Sequence, residues 1–158
     1  MEIQTILLQC FYAFLACVGF SIVFDVKKPL FVGLASLIGA FGWAVFLLTP
    51  EAGAWSDVPR YLLATITVSM LSEICARILK APATIFLLIG IIPLVPGGGL
   101  YYAMNFLING NYAMFAKKGL QTAAYAGSIA VGVSMVTSIV RMISWGRLRR
   151  HFRMNSKK

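Results

Sequence analysis

A cluster of helix-breaking residues between Pro93 and Gly99 is the segment of this sequence best suited to bind a solute. Pro93 and Pro96 each remove a backbone N–H donor, and Gly97, Gly98 and Gly99 follow directly. Such a cluster should break a helix rather than bend it, so that a second half-helix starts near Leu100. The unpaired N–H groups and positive dipole end of that half-helix would favour a carboxylate or another anion.

Polar side chains after the break extend this candidate site. Tyr101, Tyr102 and Asn105 lie in or just after the first turn of the second half-helix, where they can bond a small anionic or zwitterionic solute. The alternative is a proline-kinked helix whose glycines only admit a close neighbouring helix. The density of prolines and glycines favours the solute site, because transporters bind substrates at discontinuous helices.

Glu73 is the second candidate, since it is the one acidic residue within an apolar stretch long enough to form a membrane helix. Arg77 follows four residues later, in the order that favours a helical ion pair. A carboxylate inside a membrane helix is a functional candidate by default, here for proton coupling or gating. Its position about two turns from Lys80 equally fits a structural ion pair near the helix end, and both interpretations stay open.

The composition determines the class of protein. Of 158 residues, 59% are hydrophobic and 12% are charged, which is about half the charged share of a soluble domain. Asp, Glu, Lys and Arg are missing from residues 3–24, 29–50, 61–72, 81–116 and 119–140. Because about 20 apolar residues span the hydrocarbon core, the chain is predicted to be an all-α integral membrane protein.

About five transmembrane helices are expected. Their predicted ranges are 4–24, 30–49, 58–79, 83–106 and 118–144. The third spans the membrane only if Arg60 and Arg77 extend to the two interfaces, and the fourth is discontinuous between Pro93 and Gly99. The helices form one transmembrane domain over residues 1–145, followed by a basic cytoplasmic tail over 146–158. No basic residue precedes the first helix, which favours a retained helix over a cleaved signal peptide.

The basic residues predict the orientation. With the C-terminus in the cytoplasm and the N-terminus outside, eleven of the fourteen Lys and Arg residues lie inside. Lys117 and Lys118 are a discordant pair on the outer side. The tail is then an anchor that contacts anionic lipid of the bilayer rather than a nucleic-acid-binding segment.

The sequence offers little for catalysis or metal binding. His151 is the single histidine and lies in the tail, while Cys10, Cys17 and Cys75 lie in apolar stretches without a CxxC pattern. The cysteines are expected to be buried free thiols. No cofactor, metal site or enzyme activity is predicted.

Three segments resemble the threonine/serine exporter family. They are Ser72-Glu-x-x-Ala-Arg77, Lys80-Ala-Pro82, and Ile91-Ile-Pro-Leu-Val-Pro-Gly97 with Tyr101. The resemblance covers essentially the whole chain, which is similar to the small subunit of the family's split form, the YjjB type. It implies a non-enzymatic subunit that exports small amino acids or dicarboxylates from the bacterial cytoplasm, with threonine, serine and succinate as examples. It also implies a larger membrane partner of the same family.

An odd number of helices fits half of a transporter, because many transporters pair two halves of inverted orientation. The second half would be a larger subunit or a second copy of this chain. The leading interpretation is a proton-coupled secondary transporter subunit in the bacterial inner membrane. A non-transporting assembly subunit that completes a partner's fold is the alternative.

Overall fold

All regular structure is helical in residues 3–50 and 57–155, the part of the chain that the computed structural model describes; side chains are described to residue 143. A single 3-10 turn, Ile92–Leu94, follows α4. The helices are α1 (Ile3–Val23), α2 (Pro29–Leu48), α3 (Asp57–Leu79), α4 (Ala83–Ile91), α5 (Gly97–Ile108) and α6 (Tyr112–Asn155).

The membrane class predicted from composition is confirmed. α1, α2 and α3 agree with the predicted helices to within one residue at each end. In the described part of the chain, four helices are long and apolar enough to cross a membrane, including the Tyr112–Ile143 part of α6. The bent pair Ala83–Leu94 and Gly97–Ile108 makes a fifth span if both segments belong to one crossing.

α6 is longer than the predicted fifth helix. It begins at Tyr112 instead of residue 118, and its backbone stays helical to Asn155, past the predicted domain boundary at residue 145. The predicted loop over 107–117 shrinks to residues 109–111, because Gly110 adopts a φ of 73° and the Asn111 side chain accepts a hydrogen bond from the Met114 amide. Tyr112–Ile143 alone is about 48 Å long, so α6 must tilt or project from a hydrocarbon core about 30 Å thick.

Gly39 in the middle of α2 lies at a close crossing of α1, α2 and α4. A Cβ at this position would lie 2.5 Å from the Cys17 sulphur of α1 and 3.3 Å from the Gly90 carbonyl of α4. Gly90 is covered in turn by Ile38 of α2 and by Val68, the central residue of α3. The end of α4 therefore meets the middles of α2 and α3, and α4 reaches only about half-way along the bundle.

α5 leaves the bundle and packs on α6. Among the helices described above, α6 is the one that α5 contacts, and the Gly99 backbone lies directly against Thr122. α6 runs parallel to α3, because Tyr125 meets Tyr61 and Gly132 lies against Thr65 further along both helices. The start of α5 is thereby fixed by α6 and not by the helices that hold α4.

Candidate functional site

The predicted discontinuity in the fourth helix is confirmed, with corrected bounds. The 3-10 turn and the extended residue Val95 separate two helices whose directions differ by 51°. The glycines lie inside α5, which begins at Gly97 with Pro96 as its N-cap, three residues before the predicted start near Leu100. Glycine is tolerated there because the amides of a first helical turn have no intrahelical acceptor in any case. The break itself is made by Pro93 and Pro96, which lack an N–H group.

On the α4 side of the break, the thiol of Cys17 donates a hydrogen bond to a carbonyl that the broken helix leaves without its usual partner. Pro93 lacks the N–H that would bond the Ile89 carbonyl in a continuous helix. That carbonyl instead accepts hydrogen bonds from the Ile92 amide and from the Cys17 thiol, whose sulphur lies 3.4 Å away. Cys17 is completely buried, as predicted, whereas the free thiols Cys10 and Cys75 are partly exposed.

The α5 side of the break is open. The Gly97 amide donates to the Val95 carbonyl and the Leu100 amide to the Pro96 carbonyl, at 2.7 and 3.3 Å. Within the described residues, the amides of Gly98 and Gly99 have no acceptor. A Cβ at Gly97 or Gly98 would meet nothing within 4 Å. An anionic group can therefore approach these amides without displacing a side chain of this chain.

The polar residues predicted beside the break lie on the outer surface of α5. Tyr101 and Tyr102 are 68% and 56% exposed, with ring centroids 5.5 Å apart. The exposed Asn105 accepts a hydrogen bond from the Asn109 side chain, at 3.0 Å. A solute bound among these residues would need a second surface to enclose it.

A cavity of about 310 Å³, widely open to the outside beside the 59%-exposed Tyr12, adjoins the break on its other side. It brings Pro93 together with residues of α1 and α2 that the sequence analysis did not single out. These are Gln9, Tyr12, Ala13, Ala16 and Trp43. Gln9 had a detectable signal, since it is a polar residue four positions before Ala13 on the face that also buries Cys17 and Ser21.

A buried charged network lies next to this cavity. Arg60 is only 8% exposed, and its guanidinium donates to the Asp57 carboxylate at 2.9 Å and to the Phe46 carbonyl at 3.1 Å. It also lies over the Phe46 ring, which stacks on Trp43 of the cavity lining. These partners hold the Arg60 charge within the protein near the start of α3, and the expectation that Arg60 extends to a membrane interface stays a prediction.

Glu73 and Arg77 form a separate site. Their charged groups are 4.0 Å apart, and the Glu73 side chain is 19% exposed against 44% for Arg77. Glu73 lies five residues past Val68, whereas the break lies beyond Gly90 in the opposite direction. At 1.5 Å per residue, about 14 Å along the bundle separates Glu73 from Leu94. The structure thus does not bring the two candidate sites together.

Comparison with known proteins gives a family for the chain. The family model described as "Threonine/Serine exporter, ThrE" matches residues 9–139, a range that includes the break, the cavity lining and Glu73. No curated protein and no solved structure matches the chain. A match over this much of the sequence, on a bundle of apolar helices, shows that the chain belongs to the threonine/serine exporter family.

Proposed function

We propose that this chain is one subunit of a proton-coupled secondary transporter that exports small carboxylate-bearing solutes across the bacterial inner membrane. Family membership supports an exporter-type transporter rather than an enzyme, and the apolar helices make the chain a multi-pass membrane protein. The proposed solutes are threonine, serine and succinate-like dicarboxylates, which share small size and a carboxylate. We assign the chain to the small subunit of the split, YjjB-like form.

The break between α4 and α5 is the observation that carries this proposal. Irregular backbone at membrane depth is costly unless it is buried in protein or faces water, and transporters use it as a binding element. The free amides of Gly98 and Gly99, at the positive end of α5, match a carboxylate. Gln9 and Tyr12 line the cavity on the other side of Pro93, where they offer further hydrogen-bonding groups along the path of the solute.

The exposure of the α5 residues supports a partner surface. Tyr101 and Tyr102 face away from the bundle, so that this chain alone encloses only one side of the proposed site. A larger membrane subunit of the same family would supply the other side. A second copy of this chain is the alternative source, and co-expression with and without the larger subunit distinguishes the two.

Export from membrane vesicles tests the proposal. Efflux of labelled threonine, serine and succinate should require both this chain and its partner. Gly98→Leu should abolish efflux at unchanged abundance, because its side chain would cover the α5 amides without meeting a residue of this chain near its Cβ. Gly19→Leu, at an equally open glycine of α1, is the matched control. Normal efflux by Gly98→Leu and by Tyr101→Phe/Tyr102→Phe would place the site elsewhere.

A non-transporting assembly subunit is the second candidate, and the open face of α5 is the observation that favours it. Such a subunit would use Tyr101 and Tyr102 to hold its partner. Co-purification separates the two functions. If the chain is a transporting subunit, substitutions in the break abolish solute flux while the partner still co-purifies. If it is an assembly subunit, the same substitutions abolish flux and co-purification together.

A further inference from the structure

A row of buried hydroxyl groups runs along the face of α3 that meets α6. Thr65, Ser69 and Ser72 are 0%, 2% and 1% exposed, and their oxygen atoms have no hydrogen-bond partner in the part of the chain that is described. With Tyr61 they fall within an arc of about 80°, since successive helical residues are about 100° apart. The row extends from near Asp57 at one end of α3 towards Glu73 at the other.

The opposite wall of this row is lined by small or polar residues of α6. The Tyr61 and Tyr125 ring centroids are 5.0 Å apart, and the Gly132 backbone lies against Thr65. On the side of α2, Ser36 is a fourth hydroxyl that is 0% exposed and unpartnered. It lies at the level of Ser72, because α2 and α3 are antiparallel and Gly42 lies against Val68 and the Ala64 carbonyl.

These hydroxyls differ from other hydroxyls in the same helices. Thr67, on the exposed side of α3, donates to the Leu63 carbonyl at 2.9 Å, which is the ordinary arrangement in a helix. Ser21 and Ser128 likewise bond to carbonyls of their own helices. A fully buried hydroxyl without a partner is costly, and proteins normally satisfy such a group with bound water. Three of them on one face of α3, with Ser36 at the level of Ser72 on α2, therefore indicate water in the interior of the bundle.

We propose that Thr65, Ser69 and Ser72 hold a chain of water molecules that conducts the coupling proton along α3 between Asp57 and Glu73. This inference rests on the proposed function, because it assigns a path to the proton that drives export. Each oxygen of the chain accepts a proton on a lone pair and releases its own proton to the next oxygen. The last water donates to the Glu73 carboxylate, and the neutral acid then releases the proton to water at the Arg77 end. Only O–H bonds form and break, and one positive charge moves.

Charged groups stand at both ends of the path. Near Asp57 they are Arg60 and the phenols of Tyr61 and Tyr125, while α2 carries no titratable side chain. At the Glu73 end the charged groups are Arg77 and Lys80, which follow the row along the chain, with Arg141 on α6 and Lys28 at the start of α2. α4 carries no charged side chain. Glu73 is the α3 carboxylate at this end and pairs with Arg77 at 4.0 Å, while the exposed Asp25 lies just before Lys28 and pairs with Lys27.

Removal of the hydroxyls tests the path. The triple variant Thr65→Val/Ser69→Ala/Ser72→Ala, in vesicles with the partner, should lose at least tenfold of its proton-driven export, while exchange of labelled for unlabelled solute, which moves no net protons, stays unchanged. Thr67→Val is the matched control and should leave both fluxes unchanged. Full proton-driven export by the triple variant would overturn the proposal, and so would export driven equally well by sodium. Solute exchange in every variant reports on the proposed function separately, because exchange needs the solute site and no net proton movement.

A second measurement applies even where the triple variant fails to assemble. A water-soluble thiol reagent should modify Ser69→Cys, read by peptide mass, because water reaches that position. It should not modify Thr67→Cys, which faces the outside of α3 at a similar depth. An unmodified Ser69→Cys in the assembled transporter would refute the water chain.

Discussion

The variant Gly99→Ala is expected to displace the start of α5 and to destabilise the α5–α6 hairpin. An added Cβ would overlap the Thr122 hydroxyl and would lie 3.4 Å from both Cβ and Cγ2 of that residue. One of the two other staggered rotamers of Thr122 gives no relief, because its methyl group would take the place of the hydroxyl. Rotation would also break the bond from its hydroxyl to the Lys118 carbonyl, now 2.8 Å long.

Two opposing effects determine the size of this change. Overpacking costs about 1–3 kcal/mol, whereas replacing glycine by alanine in a helix interior gains up to about 1 kcal/mol. The gain is smaller in a first turn, so the expected net loss is about 1–2 kcal/mol. For a chain of this length, such a loss lowers Tm by about 2–8 °C.

Thermal unfolding of the purified protein in detergent measures the effect. Gly98→Ala is the matched control, because it makes the same change one residue away where a Cβ meets nothing within 4 Å. Thr122→Ala removes the obstructing atoms, so the double variant should recover most of the loss, with a coupling energy of about 1–2 kcal/mol. Equal melting temperatures for Gly98→Ala and Gly99→Ala, or no recovery in the double variant, would refute the packing that positions the α5 amides.

The ion pairs and the helix crossing give three further expectations. Arg60→Leu should lower the free energy of unfolding by about 3 kcal/mol, which is at the low end for a broken buried ion pair because Asp57 stays 33% exposed. The double variant Arg60→Met/Asp57→Asn should recover most of this loss, measured as Tm. Glu73→Gln should change the pH dependence of efflux at normal assembly; loss of assembly would identify a structural pair instead. Gly39→Leu should remove folded protein from the membrane, whereas Gly33→Leu, at an open glycine of α2, should leave abundance unchanged.

The features predicted well from the sequence are those with local causes. Charge-free stretches located α1 and α2 to within one residue, because the cost of burying charge in lipid acts on each segment separately. The break at Pro93 and Pro96 was predictable for a similar reason, since a missing N–H acts on the proline's own turn. The connection between α5 and α6 also has local causes in Gly110 and Asn111, although the predicted loop extended to residue 117.

The features that the sequence analysis missed depend on residues far apart in the chain. Arg60 is buried because Phe46, fourteen positions earlier, supplies both a carbonyl and a ring. Gln9 joins the site because α1 lies beside a break more than 80 residues later. Neither partner can be read from a single stretch of sequence, since both arise from how α1 and α2 pack against the later helices.

The position of Trp43 and Phe46 offers a physical link between solute and proton. Trp43 lines the cavity at the break, and its ring stacks on Phe46 at 5.1 Å between centroids. Phe46 in turn carries the Arg60 guanidinium, which is paired with Asp57 at the start of the hydroxyl row. A solute that enters the cavity and shifts Trp43 should therefore also shift Phe46, and with it the Arg60–Asp57 ion pair where the proposed proton path begins. Glu73, about 14 Å along the bundle from Leu94 at the break, then needs no direct contact with the solute, because only the proton has to travel to it.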